Sequence, residues 1–114
     1  MTNNKKTTEY PIVALREELR LQAGALSQRL NRSVGRLTSC DLLPCLEYGE
    51  EIEYQRQLAE ELFFLQHCRD ALEQCIRAGK VVQRYRWRNG SVSVVRLRKI
   101  GPARVRVSGL STAP

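Results

Sequence analysis

Basic and aromatic side chains alternate along the last third of the chain, and this pattern is the one best suited to contact with a partner. Cationic side chains neutralise phosphates and release their counterions, and exposed aromatic rings stack on bases. Arginine, tryptophan and tyrosine are also enriched at the centres of protein interfaces. The candidate binding residues, which would serve either kind of partner, are Lys80, Arg84, Tyr85, Arg86, Trp87, Arg88, Arg96, Arg98, Lys99, Arg104 and Arg106.

Charge is distributed unevenly along the chain, whose formal net charge is +7. Residues 1–73 contain nine Lys or Arg and all twelve acids, whereas residues 74–114 contain ten Lys or Arg and no acid. A cluster of glutamates in the middle of the chain either forms a solvated helix face or docks on the basic segment or on a basic partner. These glutamates are Glu47, Glu50, Glu51, Glu53, Glu60 and Glu61.

The cysteines and the single histidine give no recognisable site. Cys40, Cys45, Cys68 and Cys75 include no C-x2-C pair, so a zinc site made from all four is the weaker interpretation and small buried thiols are the stronger one. His67 and Cys68 are neighbours, and adjacent positions on a helix point about 100° apart, which disfavours a nucleophile and base pair. The chain also lacks the common phosphate-loop, dinucleotide, serine hydrolase and metalloprotease motifs. We expect no enzymatic activity, metal or cofactor.

Two amphipathic helices are predicted before the basic segment. The first covers residues 9–36, with Thr8 as its N-cap and Pro11 in its first turn, and the second covers residues 45–78 and ends at Gly79. Apolar residues recur at helical spacing in both segments. They are Leu15, Leu19, Ala23, Leu26, Leu30, Val34 and Leu37 in the first, and Leu58, Leu62, Leu65, Leu72 and Ile76 in the second.

After Gly79 the apolar period becomes two, which predicts β-strands. Asn89-Gly90 predicts a two-residue type I′ turn between two antiparallel strands, and residues 103–107 predict a third strand. Whether the aromatic rings face the helices or solvent is left open. The predicted register places Tyr85, Trp87, Val92 and Val94 on one face and Arg84, Arg86, Arg88, Ser91 and Ser93 on the other.

The predicted fold class is α+β, with an antiparallel helical hairpin, residues 9–78, followed by a small two- or three-stranded antiparallel β-sheet, residues 80–108. One domain, residues 9–108, is expected between a flexible N-terminus, residues 1–8, and a flexible tail, residues 109–114. Helices this long leave apolar surface that a second hairpin would cover in a four-helix bundle, so we expect a homodimer.

Two function classes are compatible with these features. The first is a small nucleic-acid-associated accessory or regulatory protein, in which the arginines contact phosphates and the helices dimerise. The second is an assembly or inhibitory adaptor whose basic sheet binds an acidic protein. The polar start of the chain and the absence of a long apolar run predict a cytoplasmic protein without a membrane partner.

Overall fold

The computed structural model describes the backbone of residues 7–39 and 45–113 and the side chains of residues 7–36 and 49–108. The predicted α+β class, a helical hairpin followed by a small antiparallel sheet, is confirmed, and the sheet has four strands in the order β1-β4-β3-β2. Neither described helix is long and apolar enough to cross a bilayer. The elements are β1 (Thr8–Pro11), α1 (Ile12–Ser39), α2 (Cys45–Ala78), β2 (Lys80–Arg86), β3 (Val92–Gly101) and β4 (Arg104–Ala113).

The N-terminal segment forms a strand, so the predicted helix start is wrong. Thr8 to Pro11 pair with β4, and the helix begins only at Ile12, whose N–H donates to the carbonyl oxygen of Ala103 at 2.9 Å. A residue that precedes proline is sterically disfavoured in the helical region, which keeps Tyr10 extended. Proline, which lacks an N–H donor, is tolerated on an edge strand such as β1.

At the other end of the chain, β4 is longer than the predicted third strand. It continues to Ala113, which pairs with Val92, so residues 109–113 extend the sheet where a tail was predicted. Of the predicted flexible N-terminus, residues 1–6 lie outside the described part of the chain.

Polar contacts between the helices fix their antiparallel arrangement. Arg16, near the start of α1, donates two hydrogen bonds to Glu73, near the end of α2, at 2.7 and 2.8 Å. Further along the hairpin, the hydroxyl of buried Ser33 donates to Glu51 at 2.8 Å, and Arg36 binds the same carboxylate. The Ser33 hydrogen bond, followed by the Arg36 guanidinium, lowers the pKa of Glu51.

The main core lies between the helices and one side of the sheet. Apolar side chains of α2 pack on the strands, and the start of α1 closes the same layer. Both helices therefore lie on one side, and no described element covers the other. The buried residues of this core are Ile12, Ala71, Leu72, Cys75, Val81, Val95, Leu97 and Val105.

The turn between β2 and β3 differs from the predicted type I′ turn. Among the described non-glycine residues none has a positive φ, so Asn89 cannot occupy the first position of such a turn, whereas Gly90 has a φ of 92°. The N–H of Gly90 donates to the carbonyl oxygen of Trp87 at 3.0 Å, and the N–H of Trp87 donates to that of Ser91 at 2.8 Å. This pattern fits a three-residue loop, in which a type I turn is followed by a glycine bulge.

The longer loop shifts the strand register by one residue, so the predicted sorting of side chains by face is wrong. Tyr85 pairs with Ser93 instead of Val94, and Arg84 pairs with Val94. Because directly opposite residues share a face, the serines join the aromatic residues and the valines join the arginines.

Two glycine substitutions test this backbone. Gly90→Ala should lower the free energy of unfolding by about 1 to 2 kcal/mol, because a Cβ disfavours positive φ. Gly24→Ala is the matched control: Gly24 lies in α1, and an added Cβ would meet no atom within 4 Å. It should raise the free energy of unfolding by about 0.5 to 1 kcal/mol. Urea denaturation measures both, and equal effects of the two changes would contradict the assigned turn.

Candidate nucleic-acid interface

Seven of the predicted binding residues lie together on the uncovered side of the sheet, which we call the outer basic face. They alternate along the strands with core residues such as Val81, Leu97 and Val105, so the alternation of a strand directs them away from the helices. All but Arg106 among them are exposed. The outer basic face comprises Lys80, Arg84, Arg86, Arg96, Arg98, Arg104 and Arg106.

A row of charges crosses this face at right angles to the strands. Arg98 on β3 lies directly opposite Lys80 on β2 and Arg106 on β4, and Arg106 lies opposite Glu9 on β1. Glu9 is the only acid in the four strands, and it accepts a hydrogen bond from Arg106 at 3.0 Å. Like charges directly opposite each other destabilise a sheet, so the fold holds these cations together at a cost.

Two glutamates of α2, Glu51 and Glu60, have partners other than the side chains of the outer basic face. Glu51 is bound by α1, and Glu60 accepts a hydrogen bond from the backbone N–H of Arg88 on the helix side of the sheet. Within the described residues, the one ion pair of a strand arginine is that of Arg106 with Glu9. Glu60 therefore docks on the basic hairpin, which is one of the two predicted arrangements, but through the backbone of Arg88 and not through a cationic side chain, whereas Glu51 is held within the helical hairpin.

The predicted aromatic residues are separate from the outer basic face, because Tyr85 and Trp87 face α2. Their ring centroids are 4.9 Å apart, and those of Phe64 and Trp87 are also 4.9 Å apart. The indole Nε1–H of Trp87 donates to the hydroxyl of buried Ser93 at 2.7 Å. Burial, followed by the charge of Glu60, raises the pKa of Tyr85. These contacts fix the ring positions, which the sequence left open.

Two further predicted residues also lie off the outer basic face. Lys99 pairs with buried Val105 on the helix-facing side, where its charge acts on Cys75. Arg88 lies in the turn after β2, and its side chain is exposed.

A groove beside this turn is lined in part by four residues that were not predicted as binding residues, and the two with long or aromatic side chains open to solvent are Arg56 and Phe63. Phe63 is 65% exposed, whereas its neighbour Phe64 packs against the core. The adjacent pair Phe63-Phe64 is itself a signal in the sequence that one phenylalanine ring is exposed, because adjacent helical residues cannot both face one core. We call this the turn groove; it has a volume of about 700 Å³ and is lined by Arg56, Ala59, Glu60, Phe63, Tyr85, Arg86, Trp87 and Arg88.

The cysteines and histidine show no reactive arrangement among the described residues. Burial raises the pKa of Cys68 to about 11, so its thiol is protonated at neutral pH and is a poor nucleophile. Burial also raises the pKa of Cys75. Within the described part of the chain, no three His, Cys, Asp or Glu residues are grouped as metal ligands. The predicted alternative of a four-cysteine site also involves Cys40 and the side chain of Cys45, which lie outside it.

Removal of one like charge tests the electrostatic cost of the outer basic face. Arg98→Thr should stabilise the fold by roughly 0.2 to 1 kcal/mol at low salt, because it relieves repulsion from Lys80 and Arg106. The gain should shrink between about 0.01 M and about 1 M salt, as the Debye length falls from about 30 Å to about 3 Å. Chemical denaturation at both salt concentrations measures it.

The matched control is Arg96→Thr, since Arg96 lies opposite the uncharged residues Val82 and Ser108. It should give a smaller gain that depends less on salt. Equal gains in stability from the two substitutions would show that repulsion between opposed like charges does not destabilise the sheet.

The chain matches no protein-family model, and it shows no significant similarity to a curated protein or to a solved structure.

Proposed function

We propose that the protein is a small, non-enzymatic, nucleic-acid-associated accessory or regulatory protein of the cytoplasm. Its outer basic face contacts phosphates, and its helices mediate dimerisation. The observation that carries the proposal is the row in which Arg98 stands between Lys80 and Arg106 on an uncovered face. A phosphate backbone would relieve this repulsion and release its own counterions in the process.

The second candidate, an adaptor that binds an acidic protein, has less support. It would use Tyr85 and Trp87 as anchors, yet both rings pack against α2. The buried centres of protein interfaces are more apolar than the rest of the surface, whereas the exposed sheet face is dominated by arginine and lysine around a few valines such as Val82. A charged face with little apolar surface suits a phosphate backbone better.

The proposed dimer is supported by the part of the hairpin that extends beyond the sheet. Tyr85 and Arg88 of the β-hairpin bind α2 at Glu60, and we call residues 24–39 of α1 and 45–57 of α2, which lie further along the helical hairpin, the distal arm. The radius of gyration is 17.3 Å, against about 13 Å for a compact chain of this length. Such an extended hairpin leaves the apolar stripe of α1 only half-buried, with Leu26 and Leu30 in the arm.

Charge complementarity suggests how two arms would pair. The α1 part of the distal arm contains three arginines and no acid, whereas its α2 part contains four glutamates and one arginine; Arg36 pairs with Glu51 within the hairpin, so Arg29 and Arg32 are the α1 cations offered to a partner. A two-fold axis that places α1 of one protomer against α2 of its partner brings opposite charges together. Such a pairing would also cover the half-buried stripe in a four-helix bundle.

Loss of strand arginines tests the phosphate contacts. The triple variant Arg84→Ala, Arg96→Ala and Arg104→Ala should bind a labelled oligonucleotide more weakly than the parent protein. The slope of log K against log salt should flatten by about 2 to 3, because each lost phosphate contact removes roughly 0.7 to 0.9. Fluorescence anisotropy at several salt concentrations measures both quantities.

The control variant for this experiment removes the same charge from the helices outside the distal arm, with Arg20→Ala, Arg69→Ala and Arg77→Ala. It should keep most of the salt dependence, since these residues lie away from the outer basic face. Equal losses in the two triple variants would count against a sheet-based site. If the parent protein binds no oligonucleotide near about 0.15 M salt, where phosphate contacts still act, an acidic protein partner becomes the better proposal.

Charge reversal on the distal arm tests the dimer. Light scattering should give the mass of two chains for the parent protein. Arg29→Glu with Arg32→Glu should raise the dimer dissociation constant by about tenfold or more, because attraction to the partner's glutamates becomes repulsion in both symmetric copies. Arg84→Glu with Arg96→Glu makes the same charge change on the sheet and should leave the mass unchanged. A parent mass of one chain would contradict the dimer.

A further inference from the structure

The turn groove is large enough for a small ligand, and side-chain and backbone contacts join its two walls. Its volume of about 700 Å³ is within the range of about 300 to 1,000 Å³ that is usual for ligand sites. One wall is α2, and the other is the start of the β2–β3 turn, where Tyr85 and Trp87 are held by contacts with Phe64 and with each other. The backbone N–H of Arg88 binds the Glu60 carboxylate and so fixes the turn to the helix.

Phe63 presents an exposed aromatic ring to this groove. It is 65% exposed, although its neighbour Phe64 is packed in the aromatic cluster below. A ligand that covers this ring would remove apolar surface from water, which is favourable. Phe63 belongs to the α2 wall of the groove, and Tyr85 and Trp87 also line the groove, so a flat ring bound there could stack on Phe63.

The charges around the groove indicate that a ligand with such a flat ring would also carry negative charge. Arg56, Arg86 and Arg88 line the groove together with a single acid, Glu60, so its lining has a net positive charge, although Arg56 also pairs with Glu53. Arg86 is also a member of the outer basic face. The cations of the groove are therefore continuous with those of the sheet.

We propose that the turn groove binds an unpaired base of a single-stranded nucleic acid, with Phe63 stacking on the base and Arg86 guiding the phosphates onto the outer basic face. This inference rests on the proposed function and narrows it to strands with unpaired bases. The bases of a duplex are stacked on each other and are not free to stack on a protein ring.

The test compares strands that differ only in their bases. An oligothymidylate of about twelve nucleotides, which is within the usual range of single-strand sites, is compared with an abasic strand of the same length and charge. Oligouridylate and a duplex of the same length complete the set. Anisotropy gives the affinities, and the emission of Trp87, the only tryptophan, reports occupancy of the groove.

We expect the thymidylate strand to bind about tenfold or more tightly than the abasic strand and to quench Trp87 emission, because stacking contributes to affinity at each base. Phe63→Ala should remove this difference and leave binding of the abasic strand unchanged. Phe63→Tyr should retain the difference. Val13→Ala, which shortens another exposed apolar side chain, is the control and should behave like the parent protein.

Failure of this inference can be told apart from failure of the proposed function. Equal affinities for thymidylate and abasic strands, with a steep salt dependence, would overturn base stacking and leave phosphate contact intact. Tighter binding of the duplex than of either single strand would also overturn it. No binding of any strand would overturn both. A higher affinity for uridylate than for thymidylate would support the inference and identify RNA as the preferred ligand.

Discussion

The packing of α2 against one side of the sheet is the interaction on which the other features depend. Leu72 and Cys75 on the helix meet Val81, Leu97 and Val105 on the strands. Burial of each such aliphatic side chain contributes about 1.5 to 3 kcal/mol, whereas a pair of opposed like charges costs roughly 0.2 to 1 kcal/mol. The core therefore decides which side of each strand faces the helix, and the alternating cations are directed to the outer basic face despite their repulsion.

Much of the fold could be predicted from local patterns. The change of apolar period at Gly79 separates helices from strands, and the predicted second helix, residues 45–78, has the bounds of α2. The strand β1 could not be predicted in this way, because it depends on pairing with β4, where Glu9 and Arg106 are 97 positions apart. The proline at position 11 gave the one local signal, since it disfavours a helical Tyr10.

The candidate site was predictable in composition but not in its arrangement. The basic residues were identified, yet their division between faces depends on a single φ angle at Asn89, which decides between a two-residue and a three-residue loop. A change of one residue in register moves every side chain relative to its neighbours on the next strand. Phe63 was missed for a related reason: the spacing of a phenylalanine doublet does not say which ring faces the sheet.

The central claim is that phosphates bind the outer basic face, and the side chains of that face can report it directly. The most direct measurement is an NMR titration of the arginine Nε–Hε signals with a single-stranded oligonucleotide. The account predicts that the signals of Arg84, Arg96, Arg98 and Arg104 shift while those of Arg29 and Arg32 on α1 stay in place. Shifts confined to Arg29 and Arg32, with the strand arginines unchanged, would contradict it.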